Sequence, residues 1–136
     1  MTDEFKIHDM LLKDTFEIAQ LKLCDLRMMN DKNYPWFVLI PRVFDIQDIY
    51  QLTRAEQQQF LDESSLISKT LMKLFNGKKM NVAALGNVCP QLHIHHIVRY
   101  ENDVAWPNPV WGAFPAKHYS TSEVEEIKEK VLNELN

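Results

Sequence analysis

Gln91-Leu92-His93-Ile94-His95-His96-Ile97-Val98-Arg99 gathers three of the chain's five histidines into one short stretch. Its alternation is that of a strand, in which every second side chain faces the same side. Gln91, His93, His95 and Ile97 therefore share one face, and Leu92, Ile94, His96 and Val98 share the other. The second set is mostly apolar and predicts a core face. The first brings an amide and two imidazoles together about 7 Å apart along the strand. That set is costly to bury and useful to expose. His96 points away from His93 and reads as a core or subunit-interface histidine.

Two chemistries can use the pair. An imidazole can attack phosphorus and form a phosphoramidate, splitting one hard displacement into two easier ones. Its neighbour can then hold phosphate oxygens or pass a proton. Alternatively, both rings can bind zinc or copper, which needs a third ligand on the same face. The other imidazoles, His8 and His118, are not placed there by any sequence signal. A third reading leaves the histidines solvated or satisfied in a core.

Working outward, Glu4 to Lys13 reads as a short helix, with Phe5, Ile7, Met10 and Leu11 apolar. Phe16 to Leu21 and Leu21 to Met29 alternate and predict two strands or one bent strand. Asn30 to Pro35 is rich in turn formers. Trp36 to Ile40 resumes as a strand that Pro41 helps to end, giving a hairpin with a longer loop. Thr53-Arg54-Ala55-Glu56 has the pattern of a capping box. Phe60, Ser64, Ile67, Leu71, Leu74 and Phe75 then mark one face of a helix from Arg54 to Phe75. Asn76-Gly77 is its stop signal. Met80 to Leu85 and Leu92 to Arg99 read as strands around a turn at Gly86 to Pro90. Ser120-Thr121-Ser122-Glu123 opens a final helix carrying Val124, Ile127, Val131 and Leu135. This order predicts an antiparallel α+β fold, with about five strands, a long central helix and helices at both ends.

The bulk properties narrow the function. A chain of 136 residues, 46% of them hydrophobic, suits one domain, 1–136. Its parts are an N-terminal extension (1–20), a core bearing the motif (21–111) and a C-terminal helix (112–136). A net charge of −4 without a Lys/Arg block argues against a nucleic-acid partner. The apolar runs are too short to span a membrane. Met1-Thr2-Asp3-Glu4 is acidic where a secretory leader is basic. With Cys24 and Cys89 read as buried, reduced thiols, the expected location is the cytoplasm.

The longer stretch Gly86-Asn87-Val88-Cys89-Pro90-Gln91-Leu92-His93-Ile94-His95-His96-Ile97-Val98-Arg99 resembles the signature of the histidine triad (HIT) family, His-φ-His-φ-His-φ-φ with φ apolar. Leu26 to Asp31, followed by Trp36-Phe37-Val38-Leu39-Ile40-Pro41-Arg42, is similar to that family's upstream strands. The resemblance spans Leu21 to Trp111. It implies a HIT-like fold and a hydrolase or transferase acting at a nucleotide α-phosphate through a nucleotidyl-histidine. Dinucleoside polyphosphates and adenosine phosphoramidates are the substrate types it implies. In that reading His93 is the nucleophile, His95 holds a phosphate oxygen or the leaving group, and Gln91 supports His93. Asn87 reaches the α-phosphate, Asn30 or Asp31 the ribose, and Leu26 and Met28 flank the base. No resident metal or cofactor is implied; a divalent ion arrives with the substrate. A two-fold homodimer is implied as well.

The chain also departs from the family. Gln91 replaces the first histidine, keeping donor and acceptor capacity, and motivates a second hypothesis: a nucleotide-binding protein without turnover. Phe44 stands where some branches carry another histidine. Asn81 is the nearest candidate for a further phosphate-binding asparagine. Arg99 is either a phosphate partner or a surface arginine, and Arg42 is similarly open. The segment Trp106-Pro107-Asn108-Pro109-Val110-Trp111 either walls a nucleobase pocket or covers the sheet.

Overall fold

A computed structural model describes residues 4–136. The opening residues Met1-Thr2-Asp3, on which the leader reading rests, lie outside the described residues. The elements run α1 (Asp9–Asp14), β1 (Thr15–Gln20), β2 (Cys24–Met29), β3 (Trp36–Pro41), a 3-10 turn (Ile49–Gln51), α2 (Arg54–Phe75), β4 (Lys79–Ala83), β5 (Ile94–Arg99) and α3 (Thr121–Leu135). The strands form one antiparallel sheet in the order β1-β2-β3-β5-β4. The α+β class and the strand number agree with expectation.

The helix boundaries follow from their caps. Thr53 Oγ1 accepts the Glu56 amide at 3.1 Å while Glu56 Oε1 accepts the Thr53 amide at 2.7 Å, so the box satisfies two unpaired donors. Ser120 and Glu123 repeat the arrangement at α3. At the far end of α2, Asn76 takes the left-handed conformation (φ 49°). Gly77 is required for a different reason: a Cβ there would lie 2.4 Å from Val98 Cγ1. The N-terminal helix is shorter than Glu4 to Lys13 because His8 Nδ1 accepts the Met10 amide, so the helix begins only at Asp9.

Both sheet faces are covered. Phe60, Ile67 and Leu71 of α2 and Val124 and Val131 of α3 pack on Leu26, Met28, Phe37, Leu39, Ile94 and Val98. Burying an aliphatic side chain this fully stabilises by about 2 kcal/mol. On the opposite face, Leu11 of α1 packs with Val38, Ile40 and Cys89. Beside it, Ala105 and Val110 pack with Tyr34, Trp36 and Ile97. This second covering leaves a recess between α1 and the segment after β5. Among the described residues no helix is long and apolar enough to cross a membrane. Both cysteines are buried and unpaired.

Candidate active site

The histidine stretch becomes regular strand only at Ile94; before it, the Leu92 amide donates to the Ile46 carbonyl. In register, His95 pairs with Val38 and Val38 with Arg27, while Ile97 pairs with Trp36. These residues share the face under α1. His93 (8% exposed) and His95 (5%) are more covered than an open surface pair, and both line a cavity of about 400 Å³. Met10, Leu11, Asp14, Met29, Trp36, Leu85 to Cys89 and Trp111 complete it. Gly86 turns the loop at φ 77°, where glycine has no steric penalty. A second cavity of about 390 Å³ adjoins the first through Asp14, Met29, Trp36 and Trp111.

The rings stand in a row. His93 and His95 centroids are 4.9 Å apart, and His95 and Trp111 5.1 Å. Hydrogen bonding sets the tautomers. His93 Nδ1 lies 2.7 Å from the Gln91 carbonyl, which can only accept, so Nδ1 holds the proton and Nε2 keeps a free lone pair. His95 is the reverse: Trp36 Nε1–H donates to its Nδ1 at 2.9 Å, leaving Nε2–H as a donor. A nucleophilic nitrogen and a hydrogen-bond donor thus sit side by side. Burial, reinforced by the neighbouring His93 and His96 rings, pushes His95 down to about 3 from its ordinary 6.5, so it stays neutral at physiological pH.

His96 is fully buried on the other face. Its Nδ1–H donates to the Ile94 carbonyl at 3.0 Å and its Nε2 accepts from Ser64 Oγ at 2.7 Å. Burial lowers it to about 4, against a smaller opposing effect of the Ile94 carbonyl. A consequence for stability follows. The unfolded chain protonates both imidazoles near pH 6.5 while the folded chain resists, so folded stability is complete above that value and declines as pH falls. At pH 5 the two together are expected to remove about 4 kcal/mol. Urea unfolding at pH 7 and pH 5 measures it; equal midpoints would contradict the burial.

The other expected site residues fall in several places. Asn87 is exposed on the rim of the first cavity. Asn30 and Asp31 line the second, where they also fasten the tail: Asn30 Oδ1 accepts the Tyr119 amide and Asp31 Oδ1 the Lys117 amide. Leu26 and Met28 do not flank it. Both are fully buried against the helices, because strand alternation turns Met29, not Met28, toward the cavities. Gln91 precedes the strand, and its side chain turns to Lys6 and His8 instead of His93; only its carbonyl reaches the imidazole.

Arg99 is neither a surface residue nor open to a phosphate. Its guanidinium pairs with Asp103, both 2% exposed, and donates to Asn81 Oδ1 at 2.9 Å and the Asn108 carbonyl at 2.8 Å. That bond also removes Asn81 from the site. Trp106 stacks on Arg99 at 5.7 Å and borders neither cavity; Trp111 is the tryptophan that does. Arg42 pairs with Asp25 at 2.7 Å. The site residues missed in the sequence are Met10, Leu11, Asp14, Met29, Trp36 and Cys89; Trp111 belongs to the segment expected either to wall a pocket or to cover the sheet. For Trp36 the sequence holds no local signal, because its place beside His95 is set by the pairing of β3 with β5.

The site is an antiparallel sheet under a long helix, with two neighbouring imidazoles of opposite tautomer opening on one cavity. The HIT domain family model matches residues 12–102. A histidine triad protein from Marinobacter aquaeolei is 48% identical, with TM-score 0.94 over 97% of this chain and 96% of that one. One from Bradyrhizobium japonicum is 36% identical, with TM-score 0.95 over 98% and 99%. One from Sinorhizobium meliloti is 35% identical, with TM-score 0.94 over 96% of each. No curated protein matches the chain. The chain belongs to the HIT family, a family of nucleotide-related hydrolases and transferases.

Proposed function

We propose that the protein hydrolyses a nucleoside phosphoanhydride or phosphoramidate at its α-phosphate through a covalent intermediate on His93. The observation that carries this is the opposite tautomers of His93 and His95, with centroids 4.9 Å apart on one cavity. The His93 Nε2 lone pair attacks phosphorus, an N–P bond forms, and the bond from phosphorus to the leaving group breaks. Positive charge develops on the imidazole, where the Gln91 carbonyl already accepts Nδ1–H and gains strength as that charge grows. His95 Nε2–H donates to the leaving atom or a phosphate oxygen, and Asn87 donates its amide from the loop. Water then attacks phosphorus, releasing the nucleoside monophosphate and regenerating His93. The nucleoside extends into the second cavity, its ribose against Asn30 and Asp31.

Hydrolysis of a panel of adenine and guanine dinucleotides and phosphoramidates tests the reading, together with an alkaline quench of labelled substrate, in which a histidine P–N bond survives. Tight binding without turnover across the panel would instead identify a nucleotide-binding protein.

We propose also that two copies associate about a two-fold axis. Strand β4 is a sheet edge, and Val82, Leu85 and Val88 are exposed on it or just after it. An apolar edge of this kind favours pairing with another chain. Sedimentation equilibrium is expected to give twice the chain mass at micromolar concentration; a monomer there refutes the pairing.

A further inference from the structure

Gln91 stands where the family signature begins with histidine, and its side chain reaches across the fold. Oε1 accepts the His8 amide at 2.8 Å and Nε2 donates to the Lys6 carbonyl at 2.7 Å. A primary amide presents an acceptor and a donor side by side, which suits two main-chain groups of one extended segment. A neutral imidazole has its donor and acceptor on separate edges of a rigid ring and cannot serve both. The segment held in this way leads directly into α1. From there Met10, Leu11 and Asp14 wall the first cavity, and Lys13 and Asp14 the second. The same residue's carbonyl accepts Nδ1–H of His93. One residue thus sets both the wall and the reacting imidazole.

We propose that Gln91 is a positioning residue for substrate binding: it holds the N-terminal wall in register with His93 and so governs affinity for the nucleoside part of the substrate. This rests on the function proposed above. Phe5 and Ile7 add apolar packing to the tether, and Leu11 anchors the helix on Val38 and Ile40. Loss of the tether therefore loosens the wall without unfolding the sheet.

The test compares the full chain with Gln91→Ala and Gln91→Glu, titrating AMP and following amide hydrogen exchange from Ile7 to Leu11. Gln91→Ala is expected to weaken AMP binding about tenfold, the worth of two hydrogen bonds. It should speed exchange in that segment and raise KM by a larger factor than it lowers kcat. Gln91→Glu keeps the acceptor for His8 but sets a carboxylate oxygen against the Lys6 carbonyl, so it too is expected to weaken AMP binding; it decides the matter if the alanine variant fails to fold. Unchanged AMP affinity overturns the proposal, whether exchange accelerates or kcat falls. A parent protein that binds AMP without turning over any substrate sinks the hydrolase reading, yet the titration still decides this one. A parent that binds no AMP overturns the present proposal.

Discussion

His93→Ala is expected to abolish the covalent adduct and to lower kcat on the best substrate by on the order of 10⁴-fold. The size follows from the division of labour in the site. His95 Nε2–H, Asn87 and the loop amides can still orient the phosphate, so binding survives. The lone pair that attacks phosphorus in the proposed mechanism is gone, and the His95 Nδ1 lone pair is already occupied by the Trp36 indole. His95 therefore cannot stand in as nucleophile. His93 is expendable to the fold: among the described residues its ring hydrogen-bonds only the Gln91 carbonyl, and it lines a cavity instead of filling a core. Kinetics and the alkaline quench, run on both proteins at pH 7, measure the effect. Adduct retained by the variant, or turnover within tenfold of the parent, would remove His93 from the mechanism.

The second large effect concerns stability. Asp103→Ala is expected to cost about 3–5 kcal/mol, because it strands the Arg99 guanidinium in a nearly water-free site. Arg99 Nε and Nη2 donate to Asp103 at 2.9 and 3.1 Å, and the Tyr100, Ala105 and Trp106 amides donate to the same carboxylate. Burial alone would raise the Asp103 pKa; the hydrogen bonds from Arg99 and from the Tyr100 and Trp106 amides outweigh it and lower the value. Its contribution is therefore present above the unfolded value of 3.8 and is lost only as pH falls through the lower folded value. The expected decline between pH 7 and pH 5 thus belongs to the buried histidines and not to this ion pair. For a domain of this size the melting temperature is expected to fall by roughly 10–20 °C. Urea and thermal unfolding measure both, and a loss below about 1 kcal/mol would show that the pair is not needed. The network also matters for the site, since it fastens the segment that brings Trp111 onto His95.

Local signals in the chain were enough for much of the architecture. The Thr53 and Ser120 caps and the three-and-four spacing after Phe60 depend on neighbours within a few residues and are found where expected, while the alternation around His93 becomes regular strand only from Ile94 and leaves Gln91 outside it. The chemistry of the motif was legible for the same reason: period-two alternation alone puts His93 and His95 on one face. What could not be read locally was which partner each polar group meets. Gln91 bonding to Lys6 and His8, Arg99 turning into Asp103 and Asn81, and Trp36 setting the His95 tautomer are meetings across strands or distant segments, governed by sheet register. A one-residue step in that register exchanges Met28 for Met29 at the cavity, and it is fixed only when β2, β3 and β5 pair.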